Sequence, residues 1–332
     1  MIRVAVLGAG RIGNIHARNV ARNPRFKLVT VADPAGDAAR QLASAVGCEA
    51  STDPKASAGR QDVDALIIGT PTDTHVDFLL EGARGGKAVL CEKPVDLDIV
   101  KAEAAASEIE RMGAKAMVAF NRRFDPSAQE LKRQIDAGAI GEVRQVIITS
   151  RDPAPPPATY LATSGGIFRD MAIHDFDMAR FLLGEEPIEV MAMASALTEP
   201  QVREAGDFDT TMVIMRTAAG KQCHINCYRK AVYGYDQRFE VIGAAGMLKN
   251  ENLRPTTVRR YSATETEIQE PILNFFLERY VDAYRIELDR FADAVERGTP
   301  MPVTVRDGCK ALRLADAAEA SVKTGKAVKV AA

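Results

Sequence analysis

The chain has 332 residues, with 43 Lys and Arg against 45 Asp and Glu for a formal charge of −2, 46% of them apolar and 27% charged. That length and balance suit a soluble globular protein with two cores and exclude a disordered, fibrous or small disulfide-stapled chain. No basic block gives electrostatics a reason to favour nucleic acid or an anionic membrane, so a small-molecule partner is expected.

Residues 1–7 are a short apolar run that leads straight into a glycine loop, unlike a signal peptide, and no later run approaches membrane-spanning length. A cytoplasmic location is expected. "MIRVAVLGAGRIGNIHARNV" passes from a β-branched run through glycines to helical spacing, so it reads as strand, turn, helix. Gly8, Gly10 and Gly13 take the G-x-G-x-x-G spacing, with Arg11 and Ile12 inside it. In that setting Gly8 permits the tight turn, Gly10 lets backbone approach a pyrophosphate, and Gly13 lets helix pack closely on strand. The helix N-terminus adds unpaired N–H groups and a partial positive charge.

"FKLVTVAD" is a second strand that ends in Asp33, twenty residues beyond Gly13. A carboxylate there accepts hydrogen bonds from an adenosine ribose and repels a 2′-phosphate, and no arginine follows before Arg40. NAD is expected over NADP. The helix "AGDAARQLASAV", the strand "VDALIIGTP", the helical "DTHVDFLLEGARGG", the strand "KAVLC", a helix over 96–112 and the strand "KAMVAF" continue the alternation. Such alternation predicts an α/β fold, a doubly wound parallel sheet with helices on both faces, over residues 1–120. "EKP" places Glu92, Lys93 and Pro94 at a carboxyl end of that sheet, the edge where ligands of such sheets bind. A lysine there can hydrogen-bond a substrate hydroxyl and stabilise negative charge developing on oxygen. Position alone leaves a plain surface lysine as an equal reading.

From residue 121 the pattern changes. A helix over 126–137, the strand "GEVRQVIITSRD", the irregular "PAPPP", the helical "GGIFRDMAIHDFDMARFLLG" and strands turning at "TAAGKQ" and "IGAAGM" predict an α+β domain on a mostly antiparallel sheet, over 121–332. Helices over 275–297 and 305–324, stopped by Gly298 and Gly325, close the chain. No Gly- or Ser-rich linker separates the halves, which predicts a close junction where ligand clefts commonly lie.

Five scattered cysteines suit reduced thiols better than a disulfide framework. Cys223 and Cys227 flank His224 but lie roughly 13 Å apart on a strand, too far for one tetrahedral ion, so they read as strand packing and no metal is expected. His16 and His224 read as helix and strand residues rather than ligands.

In "GGIFRDMAIHDFDMARFLLG", Asp170 and His174 stand four residues apart, so a continuous helix puts them on one face with Asp177 along the same line. Asp170 then lies in the first turn after Gly165 and Gly166, favourable for an acid. Alone, such a pair reads as a solvated surface pair. Beside a dinucleotide site and a candidate lysine it reads as a proton-transfer device. A neutral histidine, with an ordinary pKa near 6.5, is suited to take a hydroxyl proton at neutral pH. His174 is therefore the expected base, with Asp170 orienting it and Lys93 polarising the hydroxyl oxygen or joining a proton relay.

"GAGRIG", "CEKP", "FNRRFDPS", "SRDPAPPP", "SGGIFRDMAIHDFDMARFLLG" and "YGYDQRFEVIG", in this order, resemble the glucose-fructose oxidoreductase and inositol dehydrogenase (Gfo/Idh/MocA) family over most of the chain. The resemblance implies that Lys93, Asp170 and His174 form a catalytic group, and that Arg123 with one or both of Tyr233 and Tyr235 holds a polyol. It implies that Thr70, Pro71, His75, Glu92, Lys93 and Asn121 line the nicotinamide side, that Lys93–Pro94 is cis, and that a homotetramer forms through the large sheet. The implied reaction is NAD-dependent oxidation of the axial hydroxyl of myo-inositol. The alternatives are another inositol isomer such as scyllo-inositol, an aldose such as glucose, or a non-catalytic NAD-binding regulator.

Overall fold

The computed structural model describes residues 1–330. They divide into two compact units, Met1–Phe124 with Asp282–Leu312, and Asp125–Val281 with the chain from Arg313 on. The chain thus returns to the first unit over 282–312, a return that a single break at residue 120 does not contain.

The first unit runs β1 (Ile2–Leu7), α1 (Arg11–Arg22), β2 (Phe26–Ala32), α2 (Gly36–Val46), β3 (Glu49–Ser51), α3 (Pro54–Ala58), β4 (Ala65–Ile68), α4 (His75–Arg84), β5 (Ala88–Cys91), α5 (Ile99–Met112) and β6 (Ala116–Val118). Among the described residues its strands form one sheet in the order β3-β2-β1-β4-β5-β6, every pair parallel. β4 and β5 are buried along their whole length, as expected of parallel strands covered on both faces. The order reverses between β1 and β4, so the glycine loop after β1 opens at the switch point where such sheets bind ligands.

The second unit begins with α6 (Pro126–Asp136), β7 (Val143–Arg151), α7 (Ala158–Leu161), α8 (Gly166–Asp170), α9 (Ile173–Leu183), β8 (Pro187–Ser195) and α10 (Pro200–Glu204). It continues through β9 (Thr210–Thr217), β10 (Gln222–Tyr228), β11 (Asp236–Gly243), β12 (Met247–Lys249), the small pair β13 (Arg259–Arg260) and β14 (Ile268–Gln269), and α11 (Phe276–Arg279). Helices α12 (Val281–Arg297) and α13 (Val305–Thr324) and strand β15 (Val328–Lys329) end the described chain. The expected helix over 275–297 is two pieces divided at Tyr280. α12 is tied to its own unit by Arg25, whose Nη2 lies 3.0 Å from Asp293 and 2.6 Å from Glu296.

The larger sheet has the order β12-β11-β7-β10-β9-β8-β15, antiparallel throughout except for β7 with β10. Its strands alternate buried and exposed residues, the mark of a sheet covered on one face. Val190, Val213, Met215, Cys223, Ile225 and Cys227 point to the covered side, where α9 packs on β7 and β10. Cys223 and Cys227 are accordingly core residues of that face.

The continuous helix expected over 165–184 is broken. Gly165 and Gly166 both have φ near +80°, and the carbonyl of Ile167 accepts N–H groups from both Met171 and Ala172, at 3.0 and 2.9 Å. That doubled bond ends α8 at Asp170, and α9 restarts at Ile173. Asp170 therefore stands at the C-terminal end of a short helix, where the dipole does not favour an acid, and it shares no single helix face with His174. Asp177 does not continue a solvated line either: it is 1% exposed and pairs with Arg180 at 3.4 Å.

Candidate active site

In the first unit, a Cβ on Gly8, where φ is +97°, would lie 2.4 Å from the carbonyl oxygen of Gly69, and one on Gly13 would lie 2.0 Å from that of Gly8. Those two glycines let helix and strands close on one another. Gly10 differs, because a Cβ there would meet nothing within 4 Å. Its missing side chain leaves open space in front of α1, whose N-cap residue is Gly10 itself with no side-chain cap bond. Exposed Arg11 and half-buried Ile12 form the start of that helix. Asp33 is fixed beside the loop, its Oδ2 accepting from Ala9 N at 2.7 Å and its Oδ1 from Ala35 N at 2.8 Å. Open backbone donors, a helix start and a fixed carboxylate fit the pyrophosphate and ribose of a dinucleotide.

At the carboxyl ends of β4 and β5, the ring of His75 lies between the two chain segments that follow them. Nδ1 is 2.8 Å from the carbonyl oxygen of Pro94 and Nε2 is 2.9 Å from that of Thr70. His75 is 2% exposed, so it braces the Thr70-Pro71 turn against the Lys93–Pro94 peptide, which is cis. Lys93 is half-buried, and its N–H donates to Glu92 Oε2 at 3.3 Å. Asn121 is buried in the 3-10 turn Asn121–Phe124, and Arg123 in the same turn lies 3.4 Å from Asp307.

Behind "EKP" lies a cluster of titratable side chains that the motifs do not announce. His16 Nε2 sits 2.8 Å from Glu92 Oε1, and the imidazole is 1% exposed against the edge of Tyr284. Glu287 on α12 is fully buried, and neither of its carboxyl oxygens has a hydrogen-bond partner. Burial, and after it the charge of Glu92, pushes the Glu287 carboxyl well above its usual range. Glu287 was legible only as a glutamate inside the apolar stripe Tyr284, Leu288, Phe291.

In the second unit Asp170 is held from two sides. Tyr160 Oη donates to Oδ1 at 2.8 Å, and Arg229 Nη2 donates to Oδ2 at 2.8 Å. Neither partner carries a sequence signal, since Tyr160 follows a proline-rich segment and Arg229 merely follows β10. His174 is half-buried as the second residue of α9. Of the two tyrosines, Tyr233 is about half exposed, and its hydroxyl donates to Asp236 at 2.7 Å and accepts from Arg151 at 2.8 Å. Burial and the bond to Asp236 push its phenol upward, so it stays protonated. Tyr235 is buried edge-on against Tyr280.

Residues 2–120 match the Oxidoreductase family, NAD-binding Rossmann fold, and residues 132–330 match that family's C-terminal alpha/beta domain. The chain is 48% identical over 330 residues to the inositol 2-dehydrogenase of Rhizobium meliloti, covering 99% of each. It is similar to the crystal structure of a myo-inositol dehydrogenase from Corynebacterium glutamicum, with TM-score 0.96, 44% identity and 100% and 99% of the two chains covered. The scyllo-inositol dehydrogenase of Lactobacillus casei, solved with NAD(H) and scyllo-inositol, gives TM-score 0.92 at 29% identity over the full length of both chains.

Proposed function

The chain belongs to the Gfo/Idh/MocA oxidoreductase family, with its NAD-binding Rossmann domain, and from that premise we propose that it is an NAD-dependent inositol 2-dehydrogenase. Its substrate is myo-inositol, oxidised at the axial hydroxyl to 2-keto-myo-inositol. The observation that carries this reading is 48% identity over the full length with an inositol 2-dehydrogenase, in a chain that has a lysine after β5 and Asp170 and His174 after β7. Scyllo-inositol is the second reading, because a scyllo-inositol dehydrogenase shares the fold along its whole length.

In the proposed mechanism Lys93, Asp170 and His174 are the catalytic group. His174 takes the proton of the reacting hydroxyl, Asp170 orients the imidazole and stabilises its charged form, and Lys93 donates a hydrogen bond to the oxygen as charge develops there. Bound NAD supplies the acceptor for the hydride leaving carbon. Asp33 holds the adenosine ribose, and the N–H groups at the start of α1 hold the pyrophosphate. Thr70, Pro71, His75, Glu92 and Asn121 line the nicotinamide side, while Arg123 with one or both of Tyr233 and Tyr235 holds the polyol hydroxyls.

The uncovered face of the larger sheet supports a homotetramer. Met191 and Met193 on β8 pair with Ile214 and Met212 on β9, and all four are exposed, Met193 at 73%. An apolar patch of this kind on a sheet marks a protein interface. Among the described residues no helix is long and apolar enough to cross a membrane, and a cytoplasmic enzyme is the location we propose.

The test is NADH formation with myo-inositol, scyllo-inositol and glucose, each with NAD and with NADP. Turnover with myo-inositol and NAD is expected. Preference for another polyol replaces the substrate, and silence with every polyol despite tight NAD binding replaces the enzyme with an NAD-binding regulator.

A further inference from the structure

Arg229 is the largest side chain with no exposure in the described chain, and its charge lies between two carboxylates. Nη2 reaches Asp170 Oδ2 at 2.8 Å and Nη1 reaches Asp207 Oδ2 at 2.8 Å. The other oxygen of Asp207 accepts the N–H of Ile167, again at 2.8 Å, in the first turn of α8. A Cβ on Gly166 would stand 3.0 Å from that oxygen, so a glycine with positive φ there permits the approach. The five-residue helix is thus gripped at both ends by one chain of charges: Asp207 holds its start and Arg229 holds Asp170 at its end.

Stability alone does not account for this arrangement. Burying a guanidinium against the buried Asp207 and the part-buried Asp170 is often no more stable than an apolar filling of the same volume, and what buried ion pairs supply best is a defined geometry. The planar fork of arginine suits that task, because its terminal nitrogens point in fixed directions. A short helix with a single turn has little stability of its own, so the direction of Asp170 depends on such an outside anchor.

We propose that Arg229 is a positioning residue, anchored on Asp207, that sets the direction of the Asp170 carboxylate for catalysis. The inference rests on the reading of Asp170 as part of the catalytic group. Arg229 itself touches no reacting atom. It acts by fixing Oδ2, which leaves the remaining lone pairs of Asp170 to the imidazole and the substrate.

The test compares Arg229→Lys, the double variant R229A/D207N and Asp170→Asn, each checked for folding by circular dichroism and thermal unfolding. Lysine keeps the charge but not the fork, and R229K should lower kcat about tenfold, the scale of one charge-assisted hydrogen bond. R229A/D207N removes the anchor without stranding the Asp207 charge, and should lower kcat roughly 100-fold or more, consistent with the cost of misplacing a catalytic group. In both, the KM for myo-inositol and the Kd for NAD should stay within about twofold, and millimolar guanidinium chloride should restore part of the kcat of R229A/D207N. A structural defect would not give that split or that rescue. An inactive D170N beside a folded R229A/D207N with full kcat overturns the role of Arg229. Full activity in D170N overturns instead the reading of Asp170 on which it stands. If R229A/D207N does not fold, R229K decides, and unchanged kcat in R229K overturns the proposal.

Discussion

The glycine loop and the Asp170 helix handle negative charge in opposite ways. In the proposed reading the loop receives a charge carried by a ligand, with backbone N–H groups, a helix start and space left by the absent side chain of Gly10. The α8 end holds a charge of its own, and does so with side chains brought from distant positions: Tyr160, Arg229 and, one step removed, Asp207. The first design is local and tolerates little change in backbone. The second is long-range and depends on each partner's reach and planarity. The two sites therefore fail differently when altered.

The largest effect is expected at His174, the proposed base. Replacing His174 by Ala should lower turnover by roughly two to four orders of magnitude, with NAD affinity kept, measured by NADH formation and by titration of the cofactor. Retained turnover would move the base to another group and remove the main contrast between the sites.

Next comes the loop. A side chain at Gly10 meets open space rather than protein, so Gly10→Val should keep the thermal midpoint of the parent while weakening NAD at least tenfold, about 1.4 kcal/mol. Gly13→Ala places its Cβ against the Gly8 carbonyl and should lower the midpoint as well. Equal unfolding temperatures in the two variants would break the distinction between the glycine that faces the ligand and the glycine that packs.

A third expectation concerns the acid behind "EKP". Glu287 is held above its ordinary value of 4.5 by burial and by Glu92, so the folded chain keeps a proton that the unfolded chain has released once the pH passes 4.5. Stability from this group is fully present below that pH and is lost as pH rises toward the folded value. Relative to Glu287→Gln, the parent should lose stability with rising pH by up to about 1.4 kcal/mol per unit across that window, read by denaturant unfolding at several pH values. Parallel curves would mean that Glu287 is not carried as the neutral acid.

The smallest effect is expected at Tyr160, which gives Asp170 one hydrogen bond from the exposed side. Tyr160→Phe should cost about 1 kcal/mol, a several-fold fall in kcat, well short of the loss expected from removing the Arg229 anchor. A larger loss in Y160F than in R229A/D207N would reverse the roles of the exposed and buried partners.

Much of this was written locally in the chain. The spacing of Gly8, Gly10 and Gly13 between a β-branched run and a helical one, Asp33 at the end of the next strand, and the alternation of strands and helices fix a parallel nucleotide-binding sheet, because each rests on contacts between near neighbours in sequence. The turns at 218–221 and 244–246 and the helix stops at Gly298 and Gly325 are of the same kind.

Tertiary structure decided the rest. The stretch 165–184 is two helices, broken where the Ile167 carbonyl accepts two N–H groups, and the start of the first is held by Asp207, forty residues downstream of Ile167. Periodicity sees neither. Arg229, just past β10, is a fully buried charge that no motif marked, because burial is a property of what packs over a residue and not of the residue itself. His16 and Glu287 meet Glu92 only because α1, α12 and the segment after β5 belong to one unit across some 270 residues of chain. Local spacing determines which backbone forms, whereas the surroundings of an ionisable side chain are set by the whole fold, since a charge is stabilised or penalised by everything around it.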